Sequence, residues 1–321
     1  MSVIDVINQA KQKGVTRMSY EMLPPLKGAG ISPIIQAVET LMPYDPAFIS
    51  VTFHRYVTKA TTNENGVTEY HALRKRPATI GLASALRTHF GLEVIPHLIC
   101  SGMSKYDIED SLIDMDFLGL ENVLALRGDK EQGSNIYSAH PQGHEHAVDL
   151  VRQICEMNDG KFLDGQVDDC HHSKFTIGVA GYPEKHSDAK DMESDIRALK
   201  EKVDAGASFV ITQLFYDNED FFRYTDLCQK AGINIPIIPG IKPLASVKHL
   251  KLLPETFGIR IPDKLQNEVL KHAEDADAVR QIGAEWCVKQ CSELKAAKMP
   301  VIHIYTMGRT ESIANIVSQI L

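Results

Sequence analysis

The sequence predicts an α/β protein with a (β/α)8 TIM barrel, formed as a single domain over residues 1–321 with extra helices before the last strand. Short apolar runs alternate with helical stretches along the whole chain, which is the pattern of βα units. Most runs are continuously apolar, as in parallel strands covered on both faces. Eight of them stop at a polar residue or a turn: Glu21, Thr52, His97, Asp129, Tyr182, Gln213, the Pro239-Gly240 turn and Arg309.

The first four predicted units occupy the first half of the chain. Their strands are Arg17 to Glu21, Ala47 to Phe53, Glu93 to Cys100 and Asn122 to Arg127. Their helices are Ser32 to Leu41, Pro77 to Phe90, Ser104 to Leu118 and Glu145 to Met157. Capping residues support these boundaries, because Ser32-Pro33 suits a helix start, Gly91 a helix end, and Ser104 an N-cap.

The last four units follow the same alternation. Their strands are Phe175 to Gly181, Ser208 to Gln213, Ile235 to Ile238 and Val301 to Tyr305. The helices are Ala189 to Ala205, Asn218 to Ala231, which Gly232 closes, and Glu311 to Ile320. Several additional helices are expected between Ser246 and Ala297, ahead of the eighth strand.

Two connections are longer than simple turns and follow strand ends. They span His54 to Arg76 and Lys130 to His144. Long loops in compact domains are often lids or binding loops, so either could cover a site. The alternating pattern around Asn65-Gly66 predicts a hairpin in the first connection, with its tip at that dipeptide.

Composition excludes several classes of function. The formal net charge is −8 and the pI about 5.9, so the broad basic surface of a nucleic-acid-binding protein is missing. No apolar run approaches the roughly 20 residues of a membrane helix. The N-terminus lacks the features of a secretory leader. We therefore expect a cytoplasmic protein that binds small molecules, with neither nucleic acid nor membrane as a partner, and we expect a homo-oligomer.

The cysteine pattern predicts reduced thiols. Six cysteines are scattered without a CxxC pair, which disfavours disulfides and a zinc ribbon. Cys287 and Cys291 lie four residues apart on a predicted helix, where core packing is favoured over metal binding. The ligand-type residues of 168–172 lack the second half of a structural zinc site. No metal is expected.

Glu21 is the first candidate for chemistry. It stands in SYEMLPP at the end of a strand, among apolar and aromatic residues. Partial shielding from water favours the protonated form, which a general acid needs at neutral pH. A salt-bridged or solvent-facing glutamate is the structural alternative, and position alone does not separate the two.

Asp129 and Arg127 end the fourth strand around Gly128, in LALRGD. The functional interpretation, which we favour, is that Asp129 accepts hydrogen bonds from a bound heterocycle while Arg127 faces a phosphate or an electron-rich ring. The structural alternative is a turn with a local Arg127–Asp129 ion pair.

Three further strand ends carry weaker signals. Gln213 offers an acceptor and donors to an amide-like ring edge, or it caps a neighbouring backbone group. His97 is more simply explained as a satisfied core histidine than as a ligand contact. Tyr182 and His186 lie on one loop, where an aromatic ring can stack on a planar cofactor.

Eight segments together resemble the methylenetetrahydrofolate reductase family. They cover nearly the whole chain in order: SYEMLPP, FISVTF, EVIPHLIC, NVLALRGD, GVAGYPEKH, KVDAGASFVITQLFYD, IPIIPGIKPL and IHIYTMGR. The resemblance implies a (β/α)8 barrel that holds FAD and reduces 5,10-methylenetetrahydrofolate to 5-methyltetrahydrofolate. NADH or NADPH would be the reductant, in a ping-pong cycle.

The resemblance also implies roles for residues at matching positions. Glu21 is similar to the acid that assists opening of the folate imidazolidine ring, and Asp129 to the residue beside both flavin and pterin. Gln213 resembles the glutamine that contacts folate and nicotinamide in turn, and Arg309 the arginine of the folate site. The expected FAD contacts are Thr52, His97, Arg127, Gly128, Asp129, Ala147, Tyr182, His186, Ala189, Asp195 and Lys202.

The chain departs from the family pattern in places. Phe53-His54-Arg55 open a long polar loop after Thr52, while His249 and Leu253 replace a glutamine and a phenylalanine near the nicotinamide or folate. Control by S-adenosylmethionine is not expected. Two other functions stay open: a flavin-free barrel that binds folate or a corrinoid and transfers methyl groups, and a subunit of a larger complex that receives its electrons from a partner protein.

Overall fold

A computed structural model describes residues 2–55, 57–129, 137–167 and 171–321, and it confirms the barrel. The strands, in chain order, are β1 (Arg17–Met22), β2 (Ile49–Val51), β3 (Val57–Thr62), β4 (Thr68–Leu73), β5 (Val94–Ile99), β6 (Asn122–Leu126), β7 (Lys161–Phe162), β8 (Gly165–Gln166), β9 (Thr176–Gly181), β10 (Phe209–Leu214), β11 (Ile237–Ile241) and β12 (Val301–Tyr305). Eight of them close into a parallel ring in the order β1-β12-β11-β10-β9-β6-β5-β2. The carboxyl ends of these strands therefore meet at one mouth of the barrel.

The helices follow the strands along the chain. They are α1 (Val3–Lys13), α2 (Ser32–Glu39), α3 (Thr79–Phe90), α4 (Lys105–Phe117), α5 (Ala147–Asn158), α6 (Met192–Asp204), α7 (Asn218–Lys230), α8 (His249–Phe257), α9 (Asp263–Lys271), α10 (Ala276–Ala296) and α11 (Thr310–Val317). The extra helices expected before the last strand are α8, α9 and α10. Two predicted caps are present, since Ser104 and Asp107 form a capping box and Gly91 ends α3 in the left-handed conformation. The predicted N-cap at Ser32 is wrong, because Ser32 is already the first residue of α2, its N-cap is Ile31, and no side chain caps that end.

Helix α1 was not predicted, and it closes the amino-terminal end of the barrel. A capping box between Ser2 and Asp5 starts the helix, and Gly14 ends it at φ 64°. Its apolar residues pack with Phe48, Phe209 and other buried residues at the ends of the strands. The backbone N–H of Val3 donates to Asn122 Oδ1 at 2.9 Å. This end is therefore packed and covered, which leaves the opposite mouth for a ligand.

The predicted end of the seventh strand is wrong. Pro239 and Gly240 lie inside β11 rather than in a turn after it. A Cβ at Gly240 would come within 2.2 Å of the backbone oxygen of Thr212, so glycine is needed for close approach of β10. The N–H of Gly240 instead donates to Thr212 Oγ1 at 2.9 Å. The polar residue that follows this strand is Lys242.

The hairpin predicted in the first long connection is confirmed. Strands β3 and β4 pair antiparallel from Thr62 opposite Thr68, and Gly66 takes φ 76° at the tip. The side chain of Asn63 accepts from the N–H groups of Asn65 and Val67, both at 3.0 Å. Residues 130–136 of the second connection lie outside the described residues, so its role as a lid stays a prediction.

The described residues bear on the remaining sequence predictions. Cys287 and Cys291 are buried on α10, which supports core packing. Within the described ranges, no group of three metal-ligating side chains is found, and residues 168–170 of the polar cluster fall outside them. No helix in the described part of the chain is long and apolar enough to cross a membrane.

Candidate active site

Glu21 lies at the mouth of the barrel, where β1 lies between β2 and β12. Its partners in register are Ser50 and Tyr305, and its backbone oxygen accepts from Thr306 Oγ1 at 2.7 Å. Its side chain is only 12% exposed. Burial raises the pKa of Glu21 to about 8, and the positive charge of Lys242 partly offsets that rise. Glu21 is therefore an uncharged acid at neutral pH. Its low exposure contradicts the solvent-facing alternative, and no lysine or arginine of the described residues lies within ion-pair distance of it.

His97 on β5 faces this carboxyl group. Its Nε2 lies 3.9 Å from Glu21 Oε2, and burial lowers the pKa of His97 to about 3. Both groups are therefore neutral at pH 7, so this contact is not an ion pair. His97 Nε2 is buried and has no hydrogen-bond partner in the part of the chain that the structure describes. An unsatisfied buried nitrogen is costly, so it points to a ligand contact rather than a satisfied core histidine.

A polar layer inside the barrel contains His303 of β12. Its Nδ1 lies 2.9 Å from Ser19 Oγ, and its Nε2 lies 3.3 Å from Ser50 Oγ. Burial and the neighbouring His97 lower the pKa of His303 to about 3. This layer therefore carries no charge at neutral pH and helps to keep the Glu21 carboxyl in its protonated form.

Tyr305 separates Glu21 from the end of β11. Its hydroxyl donates to the backbone oxygen of Thr212 at 2.6 Å, and its ring stands edge-on to His303 at 5.2 Å. A Cβ at Gly240 would meet the Tyr305 ring at 2.8 Å. The glycine in β11 therefore makes room for both the β10 backbone and this ring.

Lys242 is a site residue that the sequence analysis missed. It follows β11 directly and is 7% exposed. Burial lowers the pKa of Lys242, Arg309 lowers it further, and Glu21 raises it. A correct end for the seventh strand would have marked this lysine, because Lys242 is the polar residue directly after Ile241.

At the end of β6, the backbone of Gly128 lies close to the side chain of Ser101. Gly128 adopts φ 86°, and a Cβ there would lie 2.8 Å from Ser101 Cβ. Arg127 pairs with Asp188 at 2.8 Å and lies over the ring of Tyr137 at 4.6 Å. A local ion pair between Arg127 and Asp129 is therefore wrong. Asp129 is exposed, and its backbone oxygen accepts from Ser101 Oγ at 3.2 Å.

The loop after β9 carries an aromatic pair. Tyr182 and His186 meet edge-to-face at 4.6 Å between ring centroids. The N–H of His186 donates to Asp195 Oδ2 at 3.2 Å, and the N–H of Ala189 donates to His186 O at 3.0 Å. Burial raises the pKa of Tyr182, the charge of Arg127 lowers it, and the charge of Asp129 raises it. Both charged residues therefore lie near Tyr182. The ends of β6 and β9 therefore line one region.

Lys202 lies behind this loop on α6. Its Nζ donates to the backbone oxygen of Ala180 at 2.8 Å, and Asp195 is its charged neighbour. Burial lowers the pKa of Lys202 to about 8, while Asp195 raises it. Burial also raises the pKa of Asp195. Asp195 and Lys202 therefore bond the backbone on both sides of Tyr182, at His186 and at Ala180.

The remaining predicted residues lie around the same mouth. Thr52 follows β2, and its backbone oxygen accepts from Thr79 Oγ1 at 3.1 Å. Ala147 is the first residue of α5. Gln213 Oε1 accepts from the N–H of Leu214 at 2.9 Å, so this side chain caps a neighbouring backbone group. Arg309 is exposed at the start of α11, where its charge acts on Lys242 and His249.

The arrangement can perform acid chemistry beside a planar ligand. An uncharged acid, an unsatisfied imidazole nitrogen and the neutral His303 share one end of the barrel. The glycine backbone at the end of β6 and the aromatic pair after β9 are features that suit a flat ring system. The residues present therefore fit the FAD that the resemblance implies.

Comparisons with known proteins agree with this architecture. A solved structure, a Clostridium thermocellum protein described as binding two copies of 5-methyl-5,6,7,8-tetrahydrofolic acid, superposes with a TM-score of 0.60 at 14% identity and covers 98% of each chain. At that identity the likeness concerns the fold alone.

Sequence comparison identifies the family. The "Methylenetetrahydrofolate reductase 1" of Schizosaccharomyces pombe is 30% identical, over 100% of this chain and 48% of its own. The "5,10-methylenetetrahydrofolate reductase" of Escherichia coli is 30% identical over 96% of this chain and 92% of its own. The chain thus spans about half the length of the yeast relative. The profile of the family described as methylenetetrahydrofolate reductase matches residues 6–321. The chain belongs to the methylenetetrahydrofolate reductase family.

Proposed function

We propose that this protein reduces 5,10-methylenetetrahydrofolate to 5-methyltetrahydrofolate, with NADH or NADPH as reductant and FAD held at the barrel mouth. One observation carries the proposal: Glu21 is an uncharged, buried acid at a strand end, 3.9 Å from a histidine nitrogen that has no other partner among the described residues. Family membership supports the choice of substrate.

Glu21 is the proton donor in this proposal. Opening the five-membered imidazolidine ring requires a proton on a ring nitrogen, and a carboxylic acid with a pKa of about 8 holds its proton at neutral pH. His97 and His303 are neutral at pH 7, so neither adds a positive charge that would lower the pKa of Glu21.

FAD would be held by residues from several strand ends. When bound, FAD supplies the two-electron chemistry between nicotinamide and folate. His97 Nε2 is available to donate or accept, Gly128 allows close backbone approach, and Tyr182 with His186 offers ring faces. The other residues assigned to this cofactor are Thr52, Arg127, Asp129, Ala147, Ala189, Asp195 and Lys202.

Folate and nicotinamide would use one pocket in turn. Asp129 is exposed at the end of β6 and can accept hydrogen bonds from a pterin edge. The Gln213 oxygen holds one bond to Leu214 N, while its second lone pair and its NH2 group can meet a substrate amide. Arg309, exposed before α11, supplies a cation for the folate.

The experiment is reconstitution of the purified protein with FAD, followed by NADH or NADPH and then 5,10-methylenetetrahydrofolate. We expect a flavin absorbance band, bleaching by one or both nicotinamides, and 5-methyltetrahydrofolate by mass spectrometry. A protein that binds no flavin but exchanges methyl groups between folate and a corrinoid would instead be a methyltransferase. Bleaching only by a reduced partner protein would identify an electron-accepting subunit.

Three statements about the whole protein stay proposals. We propose that the chain folds as one domain, forms a homo-oligomer and works in the cytoplasm. The repeated strand–helix order within a single closed barrel supports the first of these. Light scattering of the purified protein tests the second, and fractionation of the source cells tests the third.

A further inference from the structure

A buried lysine at the carboxyl end of β11 has no role in the mechanism described so far. Lys242 is 7% exposed, although lysine is rarely buried without a partner. No hydrogen bond or ion pair links its ammonium group to any other residue within the described ranges. Lys242 Nζ is not among the fully buried polar atoms without a partner in the described part of the chain, so the side-chain stem is buried while the charged end keeps contact with water at the barrel mouth.

Strand register places Lys242 on the level of Glu21. Gly240 pairs with His303 and Ile241 with Ile304, so Lys242 follows at the level of Tyr305. Tyr305 in turn pairs with Glu21 across β12 and β1. The lysine and the acid are therefore two strands apart at one level of the barrel mouth, with Tyr305 between them.

Few of the ionisable side chains around Glu21 and Lys242 are charged near neutral pH. The ionisable groups around them come from separate elements: His54, His97, Tyr182, His249, Tyr305 and Arg309. Burial lowers the pKa of His97 to about 3 and that of His249 to about 4. His249 Nδ1 also accepts from the N–H of Ala245 at 3.2 Å, which fits a neutral ring. Burial likewise holds the pKa of Tyr305 well above its usual range.

We propose that Lys242 is a positioning residue that strengthens Glu21 as an acid, because its ammonium charge stabilises the carboxylate that remains after the proton has moved to the folate. In that step the O–H bond of Glu21 breaks and an N–H bond forms on the imidazolidine ring, with no change of oxidation state. The identity of the proton acceptor rests on the proposed function. The coupling between Lys242 and Glu21 does not.

The direct test is a titration of the Glu21 carboxyl group by infrared difference spectroscopy on protein without cofactor or substrate. The Glu21→Gln spectrum identifies the band. In Lys242→Met we expect the carboxyl to lose its proton at higher pH than in the wild type. Lys242→Arg should restore the wild-type titration, and Lys248→Met, at an exposed lysine six residues on, should leave it unchanged.

A second measurement covers the case in which Lys242→Met does not fold. Coupling is reciprocal, so removing the Glu21 carboxylate must also make the Lys242 ammonium easier to deprotonate. Carbon-13 NMR of labelled lysine in wild type and Glu21→Gln reports this change. Identical lysine titrations in the two proteins would overturn the proposal, as would identical carboxyl titrations in wild type and folded Lys242→Met.

Kinetics separate this inference from the proposed function. Lys242→Met should slow the folate half-reaction by about tenfold and move its pH profile upward, while nicotinamide still bleaches the flavin at the wild-type rate. A charge-preserving arginine should recover most of the loss. If neither protein supports flavin bleaching, the proposed function fails, yet the titrations still decide the role of Lys242.

Discussion

The buried acid makes a quantitative prediction about stability. Glu21→Gln removes a carboxyl group whose folded pKa is about 8, against an ordinary value of 4.5. The folded state therefore binds this proton more tightly than the unfolded state, so the wild type loses stability as pH rises through this window. The loss approaches about 5 kcal/mol above pH 8 and is about 3 kcal/mol at pH 7. The glutamine of Glu21→Gln does not titrate, so it contributes no such pH dependence to the unfolding free energy.

The assay is urea unfolding of both proteins at pH 5, 7 and 9, followed by far-UV circular dichroism and by the fluorescence of Trp286, the one tryptophan. We expect the unfolding free energy of Glu21→Gln, relative to the wild type, to increase steadily from pH 5 to pH 9. Glu201→Gln, at an exposed glutamate, is the control and should show no such trend. A constant difference between Glu21→Gln and wild type would refute the buried, protonated state.

Three further substitutions test other parts of the site. Gly128→Ala places a Cβ 2.8 Å from Ser101 at φ 86°, so we expect a loss of about 2 kcal/mol in unfolding free energy and weaker FAD binding by fluorescence titration. Gln213→Ala should slow flavin reduction by nicotinamide and flavin oxidation by folate alike, as stopped-flow absorbance measures. Tyr305→Phe removes the 2.6 Å bond to Thr212 and should cost about 1 kcal/mol in urea unfolding.

Specific results would contradict each of these. Wild-type FAD affinity in Gly128→Ala would show that no ligand approaches that backbone. A defect in only one half-reaction of Gln213→Ala would exclude a shared contact. An unchanged stability of Tyr305→Phe would mean that water replaces the lost hydrogen bond without cost.

Much of the fold could be predicted from local patterns. The parallel strands are continuous apolar runs because both faces are covered, and that signal is visible without tertiary information. The capping box of Ser104 and the left-handed Gly91 are local as well. Local rules failed where a distant segment decides the outcome, as at Gly240, which is glycine because of the β10 backbone rather than because of a turn.

The candidate site was only partly predictable for the same reason. Glu21 could be found from the sequence alone, because it stands where the first apolar strand ends. Partners across the barrel could not be foreseen: Arg127 pairs with Asp188, 61 residues further along the chain, instead of the nearby Asp129. Lys242 was missed because the strand before it was ended too early.

The most direct measurement of the central claim, that Glu21 is the acid of the folate step, is stopped-flow absorbance of flavin-loaded Glu21→Gln. We predict that NADH or NADPH bleaches the flavin in this variant as in the wild type, because no proton from Glu21 is needed in that half. Addition of 5,10-methylenetetrahydrofolate should then fail to restore the colour. Restoration at the wild-type rate would contradict the account, because another group would have to supply the proton.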